Sequence, residues 1–486
     1  MRILSQRLLL GLGLLVLVTT EQGYAQQAPS AADHTLPFVA DQRWAVVQDV
    51  VVEGNRKTRR DIVLREMDLL PGDTLHLHEL DEVLARQRLL LLNTNLFSEA
   101  EVLVSRLDTV TQRVLLRAVV REKWYFYPAV DFDLADRNFN IWWTEQNRSL
   151  DRVNYGVKLR HGNTTGRADR LTLFAQGGYT RKAELKYEIP YVNRAKTYGL
   201  EFSLLAGRNR EWGAATRAAR LIFLDLDSIF VLERRRFRAG IVFRPGIFAE
   251  HLVRLERQTN RVDAKLGRAF NPEFFGDGRV RQEFWGLRYQ YVHDRRDQRP
   301  FPIRGFYLRS SLEKLGLGNE GDLNRLNLEQ LLRYYQPISP RWSASIEVSG
   351  KTDLVRTPVP FYNRSSLGFD NNFVRGYQLY VVDGLDWAYL RNTLRYKVFE
   401  RDVRLPFAPI QRLRRIPFKL FVAATADAGG ARDPFDTPGN VLANRVLSSY
   451  GVGVYAVVFY GKVIRFEVTR NDLNETGVFL SYSLGF

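Results

Sequence analysis

The stretch GVFLSYSLGF, residues 477–486, decides the fold. Val478, Leu480, Tyr482, Leu484 and Phe486 fall on one side of an extended chain. Gly477, Ser481, Ser483 and Gly485 fall on the other, with Phe479 the exception. A period of two is that of a β-strand. A broad apolar and aromatic face set against small and polar residues is the pattern of a strand whose outside meets lipid and whose inside meets a wet lumen. A soluble sandwich would pack its aromatic side into a closed core and turn its charged side to water.

Working back from that strand, KVIRFEVTR (462–470) alternates Ile464, Phe466 and Val468 against Arg465, Glu467 and Thr469. FWGLRYQYVHD (284–294) sets Trp285, Leu287, Tyr289 and Tyr291 opposite Gly286, Arg288 and Gln290. From Trp124 onward helical periodicity is absent. Sixteen strand-length stretches can be marked: 125–133, 152–161, 168–178, 181–190, 197–208, 230–244, 248–257, 280–293, 304–315, 323–336, 341–352, 385–398, 416–428, 447–459, 461–470 and 477–486. The expectation is therefore a mainly β chain whose residues 124–486 form a 16-stranded antiparallel transmembrane β-barrel. An even count returns both ends to the periplasm. Pro-containing turns (189–193, 244–247, 336–340) belong on that side, and the longer links 259–279, 353–384 and 429–446 outside. Residues 209–229 read either as a long outer loop or as an extra hairpin.

Composition agrees with this architecture. The chain is 45% hydrophobic and 12% aromatic, yet after Val18 no run of about 18 apolar residues offers a helical span. There is no Cys, hence no disulfide and no thiolate chemistry. Arg2, Arg7, the apolar LLLGLGLLVLV (8–18) and the small residues of GYA (23–25) read as a signal peptide over 1–25, cut after Ala25, so the chain is expected to be exported. Residues 26–43 read as a linker. A net charge of +17 fits nucleic acid, an anionic membrane surface or a charged cavity. An exported chain with scattered arginines points away from nucleic acid, toward a basic lumen and contacts with anionic lipid head groups.

Between linker and barrel, residues 44–123 make a compact unit of another kind. AVVQDVVVEGN (45–55) is a strand ending in a turn, and TRRDIVLREM (58–67) a short helix with Thr58 as expected N-cap. LDEVLARQRLLLLN (80–93) is a second helix with Leu80, Val83, Leu84, Gln87, Leu90 and Leu91 on one face. LFSEAEVLVSRL (96–107) and QRVLLRAVVREK (112–123) are two more strands. This β-α-α-β-β order, with VEGN, REM, PGD, QRL and NLFSEA, resembles a POTRA domain. The resemblance implies an α+β periplasmic module that takes client polypeptides, often by adding a client strand to its sheet edge.

FVRGY (373–377) lies in the link 353–384. It resembles the (V/I)-R-G-(F/Y) signature of the superfamily that joins POTRA domains to an outer-membrane barrel, the group of BamA, TamA and the two-partner secretion transporters. The resemblance implies that 353–384 folds into the lumen, with Val374, Arg375, Gly376 and Tyr377 as its motif. FVAATADAG (421–429) resembles the family's D-x-G strand, making Asp427 and Gly429 the expected wall partners. A second acidic group would be expected on the preceding strand. The matching position in RNTLRYK (391–397) is Thr393, and Glu400 and Asp386 stand as candidate substitutes. HDRRDQRPFP (293–302) with the following Gly resembles the family's periplasmic turn motif, which would comprise Asp294, Arg296, Asp297, Pro302 and Gly305. Tyr482, Leu484 and Phe486 resemble the C-terminal targeting strand.

No metal, cofactor or catalytic string is expected. Six His residues are spread along the chain, His76 and His78 without a third ligand nearby. No G-x-S-x-G, Walker or H-E-x-x-H motif is present, so the expectation is not an enzyme. The reading is an outer-membrane protein that inserts or translocates client polypeptides, with POTRA capture and pairing at a seam between first and last strands. Its expected partners are client outer-membrane or secreted polypeptides, outer-membrane lipid or lipopolysaccharide, and periplasmic accessory proteins. The alternatives are a passive anion-preferring pore and a structural or partner-docking barrel.

Overall fold

The computed structural model describes residues 44–134, 142, 147–226, 230–318, 322–369, 371–404, 415–435, 437, 439–458 and 462–483. The expected signal peptide, the linker, Leu484 and Phe486 lie outside the described residues.

The N-terminal unit is built from β1 (Trp44–Glu53), α1 (Arg60–Arg65), β2 (Thr74–His76), α2 (Leu80–Asn93), β3 (Phe97–Asp108) and β4 (Arg113–Glu122). The sheet order is β2-β1-β4-β3, with β1 and β4 parallel and the other pairs antiparallel. The three-residue β2 adds an edge strand to the three read from the sequence. Alternate residues of β4, from Val114 to Val120, are buried against Val83 and Leu91 of α2 and Ile62 and Val63 of α1. Gln87, on the buried face of α2, exchanges two hydrogen bonds with Asp68, which is how an amide stands in that core. Thr58 does not cap α1, whose N-cap is Arg59 without a side-chain bond.

The barrel follows as β5 (Phe126–Leu134), β6 (Val153–Gly162), β7 (Arg170–Gly178), β8 (Thr180–Ile189) and β9 (Tyr198–Asn209). Within 209–229, residues 211–225 form the hairpin alternative, β10 (Glu211–Arg217) and β11 (Arg220–Asp225), a two-stranded sheet of its own. The barrel continues with β12 (Leu232–Phe243), β13 (Ala249–Val262), β14 (Arg281–Asp294), β15 (Gly305–Leu315), β16 (Arg325–Pro337) and β17 (Trp342–Asp353). It ends with β18 (Asp386–Arg404), β19 (Arg415–Arg432), β20 (Leu447–Val458), β21 (Lys462–Asn471) and β22 (Thr476–Ser483). These strands form one 16-stranded antiparallel sheet running from β5 to β22, and among the described residues no pairing joins those two ends. Val478, Leu480, Tyr482, Ile464, Phe466, Leu287 and Tyr289 are exposed on its outer face, the side a bilayer would cover. Phe479 points inward and its ring closes on Gly477, where a Cβ would sit 2.5 Å from the ring carbons.

The N-terminal unit rests on the short turns at one end of the barrel. The Arg59 N–H donates to Gly166 O at 3.0 Å. Arg65 donates to the carbonyls of Lys196, Arg244 and Gly246. Glu66 pairs with Arg244 at 3.1 Å and accepts from the Tyr191 hydroxyl. Thr58 is buried where Tyr125 and Asn163 both bond its hydroxyl at 2.8 Å. Burial in this joint pushes the Tyr125 phenol up to about 12.

At the opposite end the long links interlock. In the link 353–384, Phe361 and Tyr362 donate backbone bonds to Glu273 and Phe274 of the β13–β14 connection. The β10–β11 tip enters between two loops, with Val381 N donating to Ala219 O at 2.7 Å and Ala219 N to Gly439 O at 3.0 Å.

Candidate functional site

The inner wall formed by β19, β20 and β21 is built from small and polar residues. Cross-strand rows read Asp427, Ser449, Asn471, then Thr425, Gly451, Thr469, then Ala423, Gly453, Glu467. Gly451 and Gly453 are enclosed, since a Cβ on either would meet the backbone of β21 within 3 Å. The result is a shallow cradle on the lumen side of β20, and the loop carrying residues 373–377 descends into it.

Arg375 lies across that cradle, 7% exposed. Its Nε donates to Asp427 Oδ2 at 2.7 Å and its Nη2 to Asp427 Oδ1 at 2.9 Å, the forked geometry in which guanidinium and carboxylate match. The Arg375 backbone N–H adds a bond to Asp427 Oδ2 at 3.2 Å. Nη2 also reaches Thr393 Oγ1 at 3.1 Å and Asn392 O at 3.2 Å on β18, and Nη1 reaches Glu467 Oε1 on β21 at 3.4 Å. The donors of one side chain thus join the loop to three strands. Gly376 follows with φ +84°, and its carbonyl accepts from Asn471 Nδ2 at 3.0 Å. The left-handed turn and the walls at 3.3–3.4 Å around the vacant Cβ position leave glycine as the residue that fits. Val374 is buried over Gly429, where a Cβ would come within 2.7 Å of Val374 Cγ2. Tyr377 is buried beside Tyr380, whose hydroxyl donates to Glu475 at 2.7 Å.

Neither candidate substitute for the second carboxylate takes that place. Asp386 is held by Arg356, and Glu400 by Lys397 and Lys419. The place goes to Glu467, with the Tyr455 hydroxyl donating to it at 2.6 Å. A second arginine, Arg391 of β18, was not singled out in the sequence. Its Nε donates to Phe373 O at 2.9 Å, its Nη2 to Asn371 O at 2.6 Å and its Nη1 to Glu347 at 3.0 Å, and its guanidinium lies near the rings of Phe373 and Tyr389. Only its inward parity, set by the outward Leu390 and Leu394 of LRNTL, could have marked it.

The turn motif lies at the other end of the lumen. Asp294 holds Arg296 by two bonds of 2.7 Å. Asp297 accepts from the Gln298 and Ile303 amides, and Gly305 turns at φ +102° where a Cβ would meet Arg295 O. The turn this stiffens does not stop at the barrel rim. Phe301 is buried against Phe421, Ala423, Tyr455, Val457 and Val463 on the wall of β19 to β21. Arg395 of β18 donates to Pro302 O at 3.0 Å with its guanidinium 4.8 Å from the Phe301 ring. From outside, Asn93 at the end of α2 bonds Asp297 O, and Arg299 bonds Asn93 O, each at 3.3 Å. Tyr482 of the terminal strand faces outward and exposed.

A sixteen-stranded barrel with an apolar exterior, an α+β unit on its short-turn end and a loop anchored in its lumen by a buried arginine defines an outer-membrane barrel protein with a periplasmic POTRA domain. The chain belongs to the Omp85 superfamily, whose domain matches residues 163–456. Residues 45–123 match the POTRA family described as a surface antigen variable number repeat. Among solved structures, BamA from Haemophilus ducreyi lacking POTRA domains 1–3 is similar at 14% identity, with 90% of this chain and 84% of that one covered and a TM-score of 0.50. CdiB from Escherichia coli is similar at 13% identity, with 90% and 75% covered and a TM-score of 0.54. A search of the curated proteins finds no match. The chain is thus an outer-membrane protein of a superfamily tied to protein insertion or translocation.

Proposed function

We propose that this protein inserts or translocates client polypeptides without enzymatic chemistry, the POTRA sheet taking up a client strand and the barrel offering strand edges at its seam. The observation that carries this reading is the loop held in the lumen, with Arg375 bonded to β18, β19 and β21 at once. A passive pore needs an open lumen, and a basic wall selects anions only where ions pass it. A wall that fixes a loop across the lumen directs the work elsewhere, to strand edges.

Two such edges support the mechanism. In the POTRA sheet β3 is twelve residues long and pairs only with β4 among the described residues. Its exposed Leu103 and Leu107 give an added strand something to cover. In the barrel, β5 and β22 end the ladder. In a bilayer an unpaired backbone edge is expensive, so a client strand that pairs there gains hydrogen bonds it finds nowhere else in the membrane. Periplasmic accessory proteins, as further partners, would meet the POTRA surface.

The test uses a synthetic peptide copying residues 476–486, offered to the full-length protein in lipid vesicles. Photoreactive side chains are placed at Leu103 on β3, at Val130 on β5 and, as a control, at Leu312 on the outer wall. Crosslinks at the first two positions and not at Leu312 are expected. Crosslinking no stronger there than at Leu312 would refute strand pairing and favour a docking or structural barrel.

A further inference from the structure

Among the described residues, the outward charges of the barrel wall gather most densely in one region. At the ends of β8, β9, β12, β13 and β14 remote from the POTRA domain, the register aligns Arg181, Arg208, Glu233, Arg261 and Arg281 in a single cross-strand row. All five share the outward parity of their strands, the parity of Leu185, Leu204, Phe237, Leu255 and Leu287. Two residues nearer the membrane centre the next row carries Arg235 and Glu283, and the row after that Arg257. Six arginines against two carboxylates leave four positive charges on a wall otherwise made for lipid.

The two carboxylates are already engaged. Glu233 takes Arg208 at 3.0 Å, and Glu283 takes Arg257 at 3.3 Å and also Arg281. Arg181 lies over the Phe230 ring. Arg235 and Arg261 have no carboxylate partner among the described residues. An arginine facing hydrocarbon is tolerated near the interface and not at mid-membrane, so this belt marks the head-group level of the outer leaflet. Level with Arg257 run Leu185, Leu204 and Phe237, and the next row toward the membrane centre carries Leu255 and Leu287, all of which suit acyl chains. Guanidinium is the side chain best matched to phosphate.

We propose that this belt is a binding site for a phosphorylated, multiply acylated lipid of the outer leaflet, its phosphates on Arg235, Arg261 and their neighbours and its chains on the apolar rows beneath. The inference rests on the outer-membrane placement and is independent of how clients are handled, so failure of either leaves the other standing. It concerns β8 to β14, remote in the ladder from the β5 and β22 edges.

The test is native mass spectrometry of the full-length protein equilibrated with bis-phosphorylated lipid A and, separately, with the same lipid stripped of both phosphates. Wild type is expected to retain the phosphorylated form about tenfold better. Equal retention would overturn the proposal and needs no variant. The triple variant Arg208→Gln, Arg235→Gln, Arg261→Gln is expected to lose that preference. A control variant, Arg470→Gln, should keep it, since this outward cation lies on β21, away from β8 to β14, and is flanked by Tyr450 and Thr476 in its ladder. A triple variant that keeps the lipid but converts a dimer to a monomer would give the belt to a second copy of the chain and overturn the lipid assignment.

Discussion

Arg375 is a buried cation whose neighbours carry two carboxylates of unequal claim. Asp427 receives the fork and a backbone N–H, whereas Glu467 meets one nitrogen at 3.4 Å and is also bonded by Tyr455. Breaking a buried forked pair costs about 3 kcal/mol or more, while weakening one long contact costs about 1 kcal/mol. Asp427→Asn should therefore lower the urea midpoint in lipid vesicles by clearly more than Glu467→Gln. Arg375→Lys should behave like Asp427→Asn, because an ammonium cannot span both carboxylate oxygens and Thr393 together. The reverse order for the two acidic positions would make Glu467 the anchor. Asp427 was legible because it lies in a local pattern with Gly429. Glu467 was not, although its inward parity was plain in KVIRFEVTR, because its nearness to Arg375 depends on the register of β19, β20 and β21, which a single sequence leaves open. Thr393 carries no acid and accepts from Arg375 through its hydroxyl, and the second carboxylate comes from Glu467, two strands beyond β19, rather than from Glu400 or Asp386.

Helices, turns and loops show the same division. The second POTRA helix was readable from its periodicity and the first from its start signal at Thr58, while β2 has three residues, too few for any period to register. Thr58 read as a helix cap because local spacing favours that role. It is instead a joint residue, since Tyr125 and Asn163, far away in sequence, converge on its hydroxyl. That joint is expected to be sensitive to alkali. Burial pushes the folded Tyr125 phenol up to about 12 from an ordinary 10.0, so the folded state holds the proton more tightly. Its contribution is whole below pH 10 and is lost as pH rises from there toward 12. Protease release of the POTRA domain from reconstituted protein should increase over that interval in wild type, and Tyr125→Phe should remove that step. A release profile that is the same in both would place the alkaline weak point elsewhere. The string 293–302 was legible, by resemblance, as a turn and strand start, but not as an insertion, because nothing local tells that Phe301 will find Phe421 and Tyr455 on a distant wall.

At the scale of the whole molecule the lumen is crossed by protein at two levels. The loop locked by Arg375 comes from the outer side, and the turn carrying Phe301 from the POTRA side. Two constrictions in series make a specific prediction for planar-bilayer conductance, because the tighter one limits the current. Wild type should show a small, flickering conductance. Arg375→Ala and Asp427→Ala should raise it to similar extents, since each releases the same loop, and Phe301→Ala alone should raise it modestly. Phe301→Ala combined with Arg375→Ala should conduct more than the two separate increments predict, as the second constriction is felt only once the first is gone. Increments that simply add would mean parallel leaks rather than stacked barriers. A large, steady, anion-selective wild-type current indifferent to all four variants would mean that neither segment blocks ion flow, and would return the protein to the class of passive pores. The POTRA contact gives the inner barrier a handle the outer one lacks, because Asn93 bonds Asp297 O and Arg299 bonds Asn93 O. A client that displaced α2 would loosen the Phe301 turn before it reached the Arg375 loop, so opening from the periplasmic side would proceed inner barrier first.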